Sequence, residues 1–259
     1  MAWFEHDETK IHYEETGAGD PLLLVPGWGG SFEDLAGIRA ALSANFRVIA
    51  ADPPGSGKSS PQPRTYTASY YADDSRVFLA MLKAIDAYPA HIAGFSDGGE
   101  YGLLMAGLDS GAVRSLATWG AAGSLGTNAD FANAMEHMID SPIPPMQEYS
   151  TYLKATYGDG NARVMTQSAG RAFRQIIESR GGDISRSLAA KMTCPTLLIT
   201  GEHDFLATPA LVGELASAMP HAEFIEAKGA SHAVHHDQPE WLEQTVTGWF
   251  AKRSTGAIV

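Results

Sequence analysis

Six short apolar runs, separated by segments with helical periodicity, constrain the fold of this 259-residue chain more than any other feature. The runs lie at 21–25, 46–51, 91–95, 113–119, 195–200 and 222–227. Near-continuous apolar runs of this length are typical of strands that are buried on both faces, as in a parallel sheet. Helices are predicted at 32–43, 68–88, 98–108, 210–219 and 240–252. The alternation predicts an α/β fold in which helices cover both faces of the sheet.

Two further strands are predicted near the N-terminus, at 3–6 and at 10–15, so we expect a mostly parallel sheet of roughly eight strands. The interval 121–186 contains no convincing strand and is rich in Met, Tyr, Phe and small residues. We interpret it as an inserted helical cap, or lid, at the edge of the sheet where ligands bind. Residues 1–120 and 187–259 are predicted to form the core, and the tail 253–259 is expected to fray.

The composition excludes several classes of protein. Hydrophobic residues make up 44% of the chain and charged residues 19%, which suits a chain with a buried core rather than a disordered one. The formal net charge of −12 disfavours nucleic acids and anionic membranes as partners. Cys194 is the single cysteine, so no intramolecular disulfide framework can form. No secretory signal and no apolar run of roughly 20 residues is visible, so a soluble cytoplasmic protein is expected.

The segment 91–107 contains the strongest chemical signal. An apolar strand runs into GFSDG at 94–98 and then into a helix, which matches the G-x-S-x-G nucleophile elbow. Ser96 would occupy a sharp, strained turn, and any side chain at 94 or 98 would collide with the adjacent backbone. The alternative is a plain glycine-rich turn with a capping serine.

A nucleophilic serine needs a base, and the base needs an orienting carboxylate. His232 is the predicted base, because it follows the run 222–227 and precedes a helix that begins with proline. Asp204 is the predicted acid, because it lies just beyond the run 195–200. The chain order Ser96, Asp204, His232 is the one expected for folds that carry this strand–serine turn–helix motif, and each of the three residues follows a different predicted strand. Neighbouring side chains remain alternatives, namely His235 and His236 for the base and Glu202 for the acid.

The glycine-rich turn 26–30 is predicted to form part of an oxyanion hole. We assign the backbone N–H groups of Trp28 and Asp97 to it, since such donors typically contribute ~3 kcal/mol each to transition-state stabilisation. Gly27 and Gly29 would let the loop approach the substrate closely. Six side chains of the inserted segment are candidates for lining the pocket, with core packing as the alternative for each. They are Phe131, Met135, Met138, Met146, Tyr149 and Tyr152.

The stretch DPPGSGKSS at 52–60 superficially matches the end of a phosphate-binding P-loop. That motif needs a glycine five positions before Gly57, where Asp52 stands, and the next two residues are prolines without an N–H group. We interpret the stretch as a tight turn beside the active site. His236 followed by Asp237 could suggest a metal site, but adjacent residues rarely converge on one ion. Neither a metal nor a cofactor is predicted.

The motifs at 25–30, 52–59, 94–98, 201–204 and 229–232 together resemble the α/β-hydrolase superfamily. A narrower resemblance, to the valacyclovir hydrolase (biphenyl hydrolase-like) group of serine esterases, rests on LLLVPG, GFSDGG, ATWGA and GGDISRSLAAKMTCPTLLITGEHD. In that group the acidic residue after the nucleophile engages the substrate's α-amino group, so the resemblance implies this role for Asp97. The alternative is that a negative side chain at 97 only favours the start of a helix, by ~0.3–1 kcal/mol.

These residues predict a serine hydrolase that cleaves a small or medium carboxylic ester, with α-amino-acid esters as a narrower class, through an acyl-enzyme. Lactonase, C–C bond hydrolase, aminopeptidase and cofactor-free haloperoxidase activities use the same triad and remain alternatives. A non-catalytic ligand receptor is the alternative outside enzymes. It is disfavoured because all three triad residues are present in the sequence. The expected partner is a small-molecule ester, and no oligomeric state is predicted.

Overall fold

The computed structural model describes residues 2–253. Met1 and residues 254–259, which belong to the predicted core segments and to the tail expected to fray, lie outside that range. The strands of the described range are β1 (Ala2–His6), β2 (Thr9–Thr16), β3 (Pro21–Val25), β4 (Arg47–Ala51), β5 (Ala90–Phe95), β6 (Val113–Trp119), β7 (Thr196–Gly201) and β8 (Ala222–Ala227). The helices are α1 (Ala36–Ser43), α2 (Tyr70–Ala84), α3 (Asp97–Leu108), α4 (Asp130–Glu136), α5 (Pro144–Tyr157), α6 (Asp159–Arg180), α7 (Pro209–Ala218), α8 (Val234–Asp237) and α9 (Pro239–Ala251).

One sheet contains all eight of these strands, in the order β1-β2-β4-β3-β5-β6-β7-β8. β1 and β2 pair with each other and β2 pairs with β4 in the antiparallel direction, and each remaining neighbouring pair is parallel. In the central strand β3, Leu23 pairs with Ile49 on one side and with Ile92 on the other. The prediction of a mostly parallel, roughly eight-stranded sheet is confirmed.

The central strands are predominantly apolar because they are covered on both faces. Leu22 and Leu24 belong to the hydrophobic layer that also contains side chains of α1 and α9. Leu23 and Val25, which point the opposite way, belong to the layer that contains side chains of α2, α3 and α7. Burying each such side chain stabilises the fold by about 1.5–3 kcal/mol relative to its exposure. This two-layer burial explains why the strands appear in the sequence as continuous rather than alternating apolar runs.

Element boundaries agree closely with the sequence-based prediction, with differences in two helices. The helix predicted at 32–43 begins as a 3-10 helix, Phe32–Leu35, and is α-helical only from Ala36. Strands predicted at 21–25, 113–119 and 222–227 have those bounds in the structure. The helix predicted at 68–88 is shorter, since α2 ends at Ala84. Two residues further on, Asp86 adopts φ +55°, a left-handed conformation that a helix cannot include. The helical periodicity of the sequence does not reveal this stop, because no glycine or proline precedes it.

The segment 121–186, called here the insertion, lies between β6 and β7 and contains α4, α5 and α6. Within it the structure describes no strand, apart from an isolated bridge between Ser124 and Asp183. Its two ends meet at Gly123, whose carbonyl oxygen accepts the backbone N–H groups of residues 184, 185 and 186 at 3.0–3.1 Å. None of the helices in residues 2–253 has the length and apolarity that crossing a membrane requires.

Candidate active site

Ser96 occupies the sharp turn between β5 and α3. Its backbone has φ 50° and ψ −118°, which is strained for a residue with a side chain. A Cβ atom at Gly94 would lie 2.4 Å from the carbonyl of Gly98, and one at Gly98 would lie 2.2 Å from the carbonyl oxygen of Val25. Because no real Cβ atom tolerates such contacts, both positions require glycine, as the sequence analysis expected.

The structure brings Ser96, Asp204 and His232 together at the carboxyl ends of three parallel strands, β5, β7 and β8. The Oγ of Ser96 lies 3.0 Å from Nε2 of His232, and Nδ1 of His232 lies 2.9 Å from Oδ2 of Asp204. An ionised carboxylate can only accept hydrogen bonds, so Nδ1 carries the imidazole proton. Nε2 is then left to accept the hydrogen bond of the serine hydroxyl, which is the geometry of a base beside its nucleophile.

The Asp204 carboxylate is shielded from solvent and held by several donors. Its Oδ1 accepts the N–H groups of Leu206 at 2.8 Å and Ala207 at 2.9 Å, and its Oδ2 accepts the hydroxyl of Thr200 at 3.3 Å. Burial alone would raise the pKa of Asp204, but the bonds from His232 and from the two amides outweigh it and lower the pKa below its usual value. The carboxylate is therefore ionised at neutral pH and can stabilise an imidazolium.

Two contacts position the His232 ring. Gly120, which follows β6, has φ +73°, and a Cβ atom there would lie 2.9 Å from Cε1 of His232. The ring of Phe95 also packs against the imidazole, with 5.1 Å between ring centroids. The His232 side chain is 19% exposed. The imidazole is thus fixed in orientation and still accessible to a substrate.

The alternative base and acid residues have other partners. Nδ1 of His235 accepts the indole N–H of Trp119 at 3.2 Å, and burial lowers the pKa of His235 to about 3. His236 is exposed. The Glu202 carboxylate accepts the N–H of Gly229 at 2.9 Å. The geometry therefore favours His232 as the base over His235 and His236, and Asp204 as the acid over Glu202.

The turn 26–30 passes directly beside Ser96. A Cβ atom at Gly27 would lie 3.3 Å from Cβ of Ser96 and 3.0 Å from the Phe95 ring, so glycine is what allows the loop to come this close. Asp97 is the first residue of α3, and the N–H of a first helical residue has no acceptor within its own helix. The N-terminal end of a helix also favours negative charge. The assignment of the Trp28 and Asp97 N–H groups to an oxyanion hole remains a prediction.

The Asp97 side chain is buried and accepts two tyrosine hydroxyls that the sequence analysis did not identify. The hydroxyl of Tyr70 donates to Oδ2 and that of Tyr71 donates to Oδ1, each at 2.8 Å. Burial raises the pKa of Asp97 to about 6, although the two hydroxyls pull it in the opposite direction. Consecutive tyrosines at the start of a predicted helix are the signal that could have indicated a shared polar partner.

A buried ion pair lies near the same carboxylate. Arg64 and Asp74 are 7% and 3% exposed, and Nη2 of Arg64 lies 2.6 Å from Oδ1 of Asp74. The guanidinium also lies over the ring of Tyr66, 4.9 Å from its centroid. Because Arg64 and Asp74 neutralise each other, the charge of Asp97 is not balanced by this pair.

The six candidate lining residues of the insertion have different surroundings. Met135 and Met138 are buried in the hydrophobic layer that includes α2 and α3, and Phe131 stacks on Phe173 with 5.7 Å between centroids. Met146 accepts a hydrogen bond from the hydroxyl of Ser141. These contacts describe packing within the insertion, and a role in lining the pocket stays a prediction for these four.

The two remaining candidates, Tyr149 and Tyr152, are stacked on each other with 5.7 Å between ring centroids. The hydroxyl of Tyr149 donates to the carbonyl oxygen of Trp28, and the two rings lie 6.2 Å apart. The hydroxyl of Tyr152 lies 3.4 Å from Oδ2 of Asp34. The structure thus brings Tyr149 to the predicted oxyanion turn and Tyr152 to the helical turn that follows it.

Asp52, where the P-loop motif would need glycine, joins three loops. Its Oδ1 accepts the hydroxyl of Ser31 at 2.9 Å and the N–H of Phe32 at 3.0 Å. Its Oδ2 accepts the N–H of Lys58 at 2.9 Å and lies 3.1 Å from Nδ1 of His12. The carboxylate therefore fills the place where a P-loop would hold an anion, in agreement with the interpretation of this stretch as a turn. Among residues 2–253 no three His, Cys, Asp or Glu side chains group as metal ligands.

The sheet, the strained serine turn and the three side chains that meet there define an α/β hydrolase. Residues 22–245 match the alpha/beta hydrolase family, and the chain belongs to that family.

The particular relatives include the serine hydrolase BPHL of Homo sapiens, which is 31% identical over 203 residues, covering 75% of this chain and 67% of the human protein. This match confirms the narrower resemblance to the valacyclovir hydrolase group.

Two solved structures share the fold. The enol-lactonase from Burkholderia xenovorans LB400 superimposes with a TM-score of 0.73 at 24% identity, covering 96% of this chain and 99% of that one. The thermophilic esterase from Thermogutta terrifontis superimposes with a TM-score of 0.74 at 20% identity, covering 95% of both chains.

Proposed function

We propose that this α/β hydrolase is a serine esterase that cleaves small or medium carboxylic esters through an acyl-enzyme. The observation that supports this most directly is the continuous hydrogen-bonded series from Ser96 through His232 to Asp204, at 3.0 and 2.9 Å. The strained backbone of Ser96 supports it further, because such strain persists where function requires it. The human relative is named a serine hydrolase, which agrees with the proposal at the level of reaction class.

In the first half of the reaction, Nε2 of His232 removes the proton of Ser96 Oγ as that oxygen attacks the ester carbonyl carbon. The carbonyl oxygen becomes negatively charged and accepts hydrogen bonds from the N–H groups of Trp28 and Asp97. The imidazolium is stabilised by the ionised Asp204, and it then protonates the departing alcohol oxygen. The alcohol leaves, and the acyl group remains bonded to Oγ.

In the second half, a water molecule takes the place of the serine hydroxyl. His232 accepts one proton of the water while the water oxygen attacks the acyl carbon. His232 then donates that proton to Ser96 Oγ as the carboxylic acid leaves. The buried Asp204 holds the imidazole with Nδ1 protonated throughout. The cycle therefore returns the protein to its starting state without any other group.

The test is covalent labelling. A fluorophosphonate probe should modify the wild-type protein at Ser96, and p-nitrophenyl esters of short acids should be hydrolysed. Ser96→Ala should lose both reactions. Ser217→Ala is the matched control, because Ser217 lies exposed on α7 and its hydroxyl only bonds to the carbonyl of Gly213. A wild-type protein that neither reacts with the probe nor hydrolyses any ester would overturn the proposal.

A specific observation favours α-amino-acid esters as a narrower substrate class. The Asp97 carboxylate is one residue from the nucleophile, and its charge is not neutralised by the nearby ion pair. A carboxylate offers about four lone-pair positions, of which the hydroxyls of Tyr70 and Tyr71 occupy two. We propose that a substrate ammonium group uses the remaining positions.

The test of amine recognition is Asp97→Asn, which keeps the backbone N–H and the side-chain shape, removes the negative charge, and puts an NH2 group in place of one oxygen that accepts a tyrosine hydroxyl. Because hydrogen bonds to charged groups contribute ~1.5–3 kcal/mol, KM for amino-acid p-nitrophenyl esters should rise about 10- to 100-fold. Simple acyl esters, measured on the same variant, provide the control and should keep their KM. Equal loss on both substrates would show that Asp97 serves the reaction or the fold rather than the amine.

The insertion is proposed to act as the cap over the active site. The hydrogen bond from Tyr149 on α5 to the turn 26–30 supports this placement, as do the apolar side chains that α4 and α5 contribute. Substrate size would then depend on the insertion rather than on the sheet.

A further inference from the structure

We propose that Tyr149 and Tyr157 of the insertion are positioning residues that hold the oxyanion turn in its active geometry. They would act through the carbonyl groups of Trp28 and Gly29. This inference rests on the proposed esterase function, and it extends it, because it makes the reactivity of Ser96 depend on the insertion as well as on the sheet.

The first contact is the hydrogen bond that the Tyr149 hydroxyl donates to the carbonyl oxygen of Trp28. The second is at Tyr157, whose hydroxyl oxygen lies 2.8 Å from the carbonyl oxygen of Gly29 and 2.8 Å from the backbone N of Gly57. The Gly57 N–H can only donate, so the single proton of the Tyr157 hydroxyl must point to the Gly29 carbonyl. Two consecutive carbonyls of the turn are therefore fixed by two side chains of one helix, α5.

The turn needs such support because of its own composition. Gly27, Gly29 and Gly30 give it a flexible backbone, and the hydrogen bond inside the turn is the one from the Gly30 N–H to the Gly27 carbonyl, at 3.1 Å. Gly29 has φ +65°, and a Cβ atom there would lie 3.1 Å from Cδ2 of Leu153 on α5. The turn is thus packed against the same helix that supplies both hydroxyls.

Fixing the two carbonyls also restricts the Trp28 N–H group, which is the predicted oxyanion-hole donor of this turn. A peptide unit is planar, so each held carbonyl sets the orientation of a whole unit. The two peptide units that contain the Trp28 and Gly29 carbonyls come directly after the unit that contains the Trp28 N–H group. Only the Trp28 Cα atom separates the first of them from that unit. With them in place, the Trp28 N–H has little freedom to turn away from the oxyanion. Oxyanion donors stabilise the transition state because they are already oriented before the reaction begins.

Both hydroxyls are suited to a permanent contact. Burial raises the pKa of Tyr149 well above its usual value and raises that of Tyr157 to about 12, so both side chains stay protonated donors throughout the range in which the enzyme would work. Tyr157 is 7% exposed, and water therefore has little access to compete for the Gly29 carbonyl. Removing a hydroxyl leaves a buried carbonyl without its donor, free to rotate toward another partner.

The experiment compares Tyr149→Phe, Tyr157→Phe and the double variant with wild type, on a p-nitrophenyl ester that the wild-type protein hydrolyses. Misplaced donors slow the chemical step, so kcat should fall about tenfold in each single variant and further in the double variant, with KM little changed. Tyr88→Phe is the matched control, since it also removes a tyrosine hydroxyl, here one bonded to Asp109. It should leave kcat unchanged.

A second measurement separates positioning from mere packing. An alkyl trifluoromethyl ketone forms a tetrahedral adduct with a reactive serine, whereas the corresponding methyl ketone binds without one. The variants should lose affinity for the first by the same factor as kcat/KM and keep their affinity for the second. Because this comparison is a ratio within one protein sample, it is independent of how much of a variant is folded.

Three outcomes would overturn the inference. They are a wild-type kcat in the double variant, a change confined to KM, or an equal loss of affinity for both ketones. These outcomes leave the esterase proposal intact, because the wild-type protein would still hydrolyse the ester. A wild-type protein inert toward esters and toward the fluorophosphonate probe would instead overturn both proposals.

Discussion

The chemistry of this protein depends on a few residues whose surroundings differ sharply over short distances. Asp204 and Asp97 are both buried carboxylates near His232 or Ser96, yet their environments change their pKa values in opposite directions. Two amides and an imidazole lower the pKa of Asp204, whereas burial raises that of Asp97 to about 6. One carboxylate is thereby kept ionised beside His232, as the proposed mechanism requires, and the pKa of the other lies in a range that an assay can reach.

At the residue scale, Asp204→Asn should separate geometry from charge. The amide can keep the shape of the side chain, but it can also donate to Nδ1 of His232 and so favour the wrong tautomer of the imidazole. We expect kcat for ester hydrolysis to fall about 10³- to 10⁴-fold with little change in KM, as it does with the same substitution in the serine-protease triad. Steady-state kinetics on protein of unchanged melting temperature would measure this. A loss of less than about tenfold would argue that another carboxylate orients His232.

The sequence predicted much of this site for a physical reason. A strained turn between a strand and a helix tolerates few residues, so GFSDG at 94–98 is recognisable without coordinates. The partners of Ser96 follow strand ends, and those are visible as the ends of apolar runs. The tyrosine contacts to Asp97 and to the turn 26–30 were not predicted, because no motif around residues 70, 71, 149 or 157 shows which group each hydroxyl reaches. Sequence separation is not the obstacle, since the Tyr157–Gly29 bond spans 128 residues and the Ser96–His232 bond spans 136.

At the scale of elements, Glu100 connects α3, the helix that follows Ser96, to the start of the insertion. Its Oε1 accepts the N–H groups of Ala122 and Gly123, each at 2.9 Å, while its Oε2 is buried without a partner among the described residues. The carbonyl oxygen of Gly123 accepts the backbone N–H groups of residues 184, 185 and 186, at the end of the insertion. One side chain on the helix of Ser96 therefore fixes both ends of the insertion.

Burial raises the pKa of Glu100 to about 7, from a usual value near 4.5. Protonation is favoured in the folded state, so the associated stability is present below about pH 4.5 and is lost as pH rises through about 7. The side chain of Glu100→Gln cannot titrate. The free energy of unfolding of this variant, relative to that of wild type, should therefore increase by on the order of 3 kcal/mol from pH 4 to pH 8.

Urea unfolding of both proteins across this pH range would measure the effect. The comparison at pH 4 is the internal control, because the wild-type side chain is then neutral like the amide. A difference between the two proteins that stays constant from pH 4 to pH 8 would contradict the prediction.

At the scale of the whole molecule, the sheet was predictable and the insertion was only partly so. Strands buried on both faces are mostly apolar rather than alternating, which makes β3 to β7 visible in the sequence. The insertion obeys no such rule, since α4, α5 and α6 pack largely on one another, and Phe173 of α6 also contacts Tyr70 of α2. Gly170 of α6 illustrates this, because a Cβ atom there would lie 2.6 Å from Cβ of Glu136 on α4. The buried face of α6 does recur at three- and four-residue spacing, but it includes Thr166, Ser168 and Gly170, so the sequence shows only a weak apolar stripe there.

The closeness of the two ends of the insertion at Gly123 makes this segment exchangeable. A foreign segment grafted between Gly123 and residue 184 would leave the chain path of the sheet and of the triad unaltered, so substrate choice could be re-engineered without redesigning the catalytic scaffold. The hydroxyls of Tyr149 and Tyr157 set a limit on such swaps. A transplanted segment that does not bring equivalent donors would yield a chimera with a new specificity and a slower turnover.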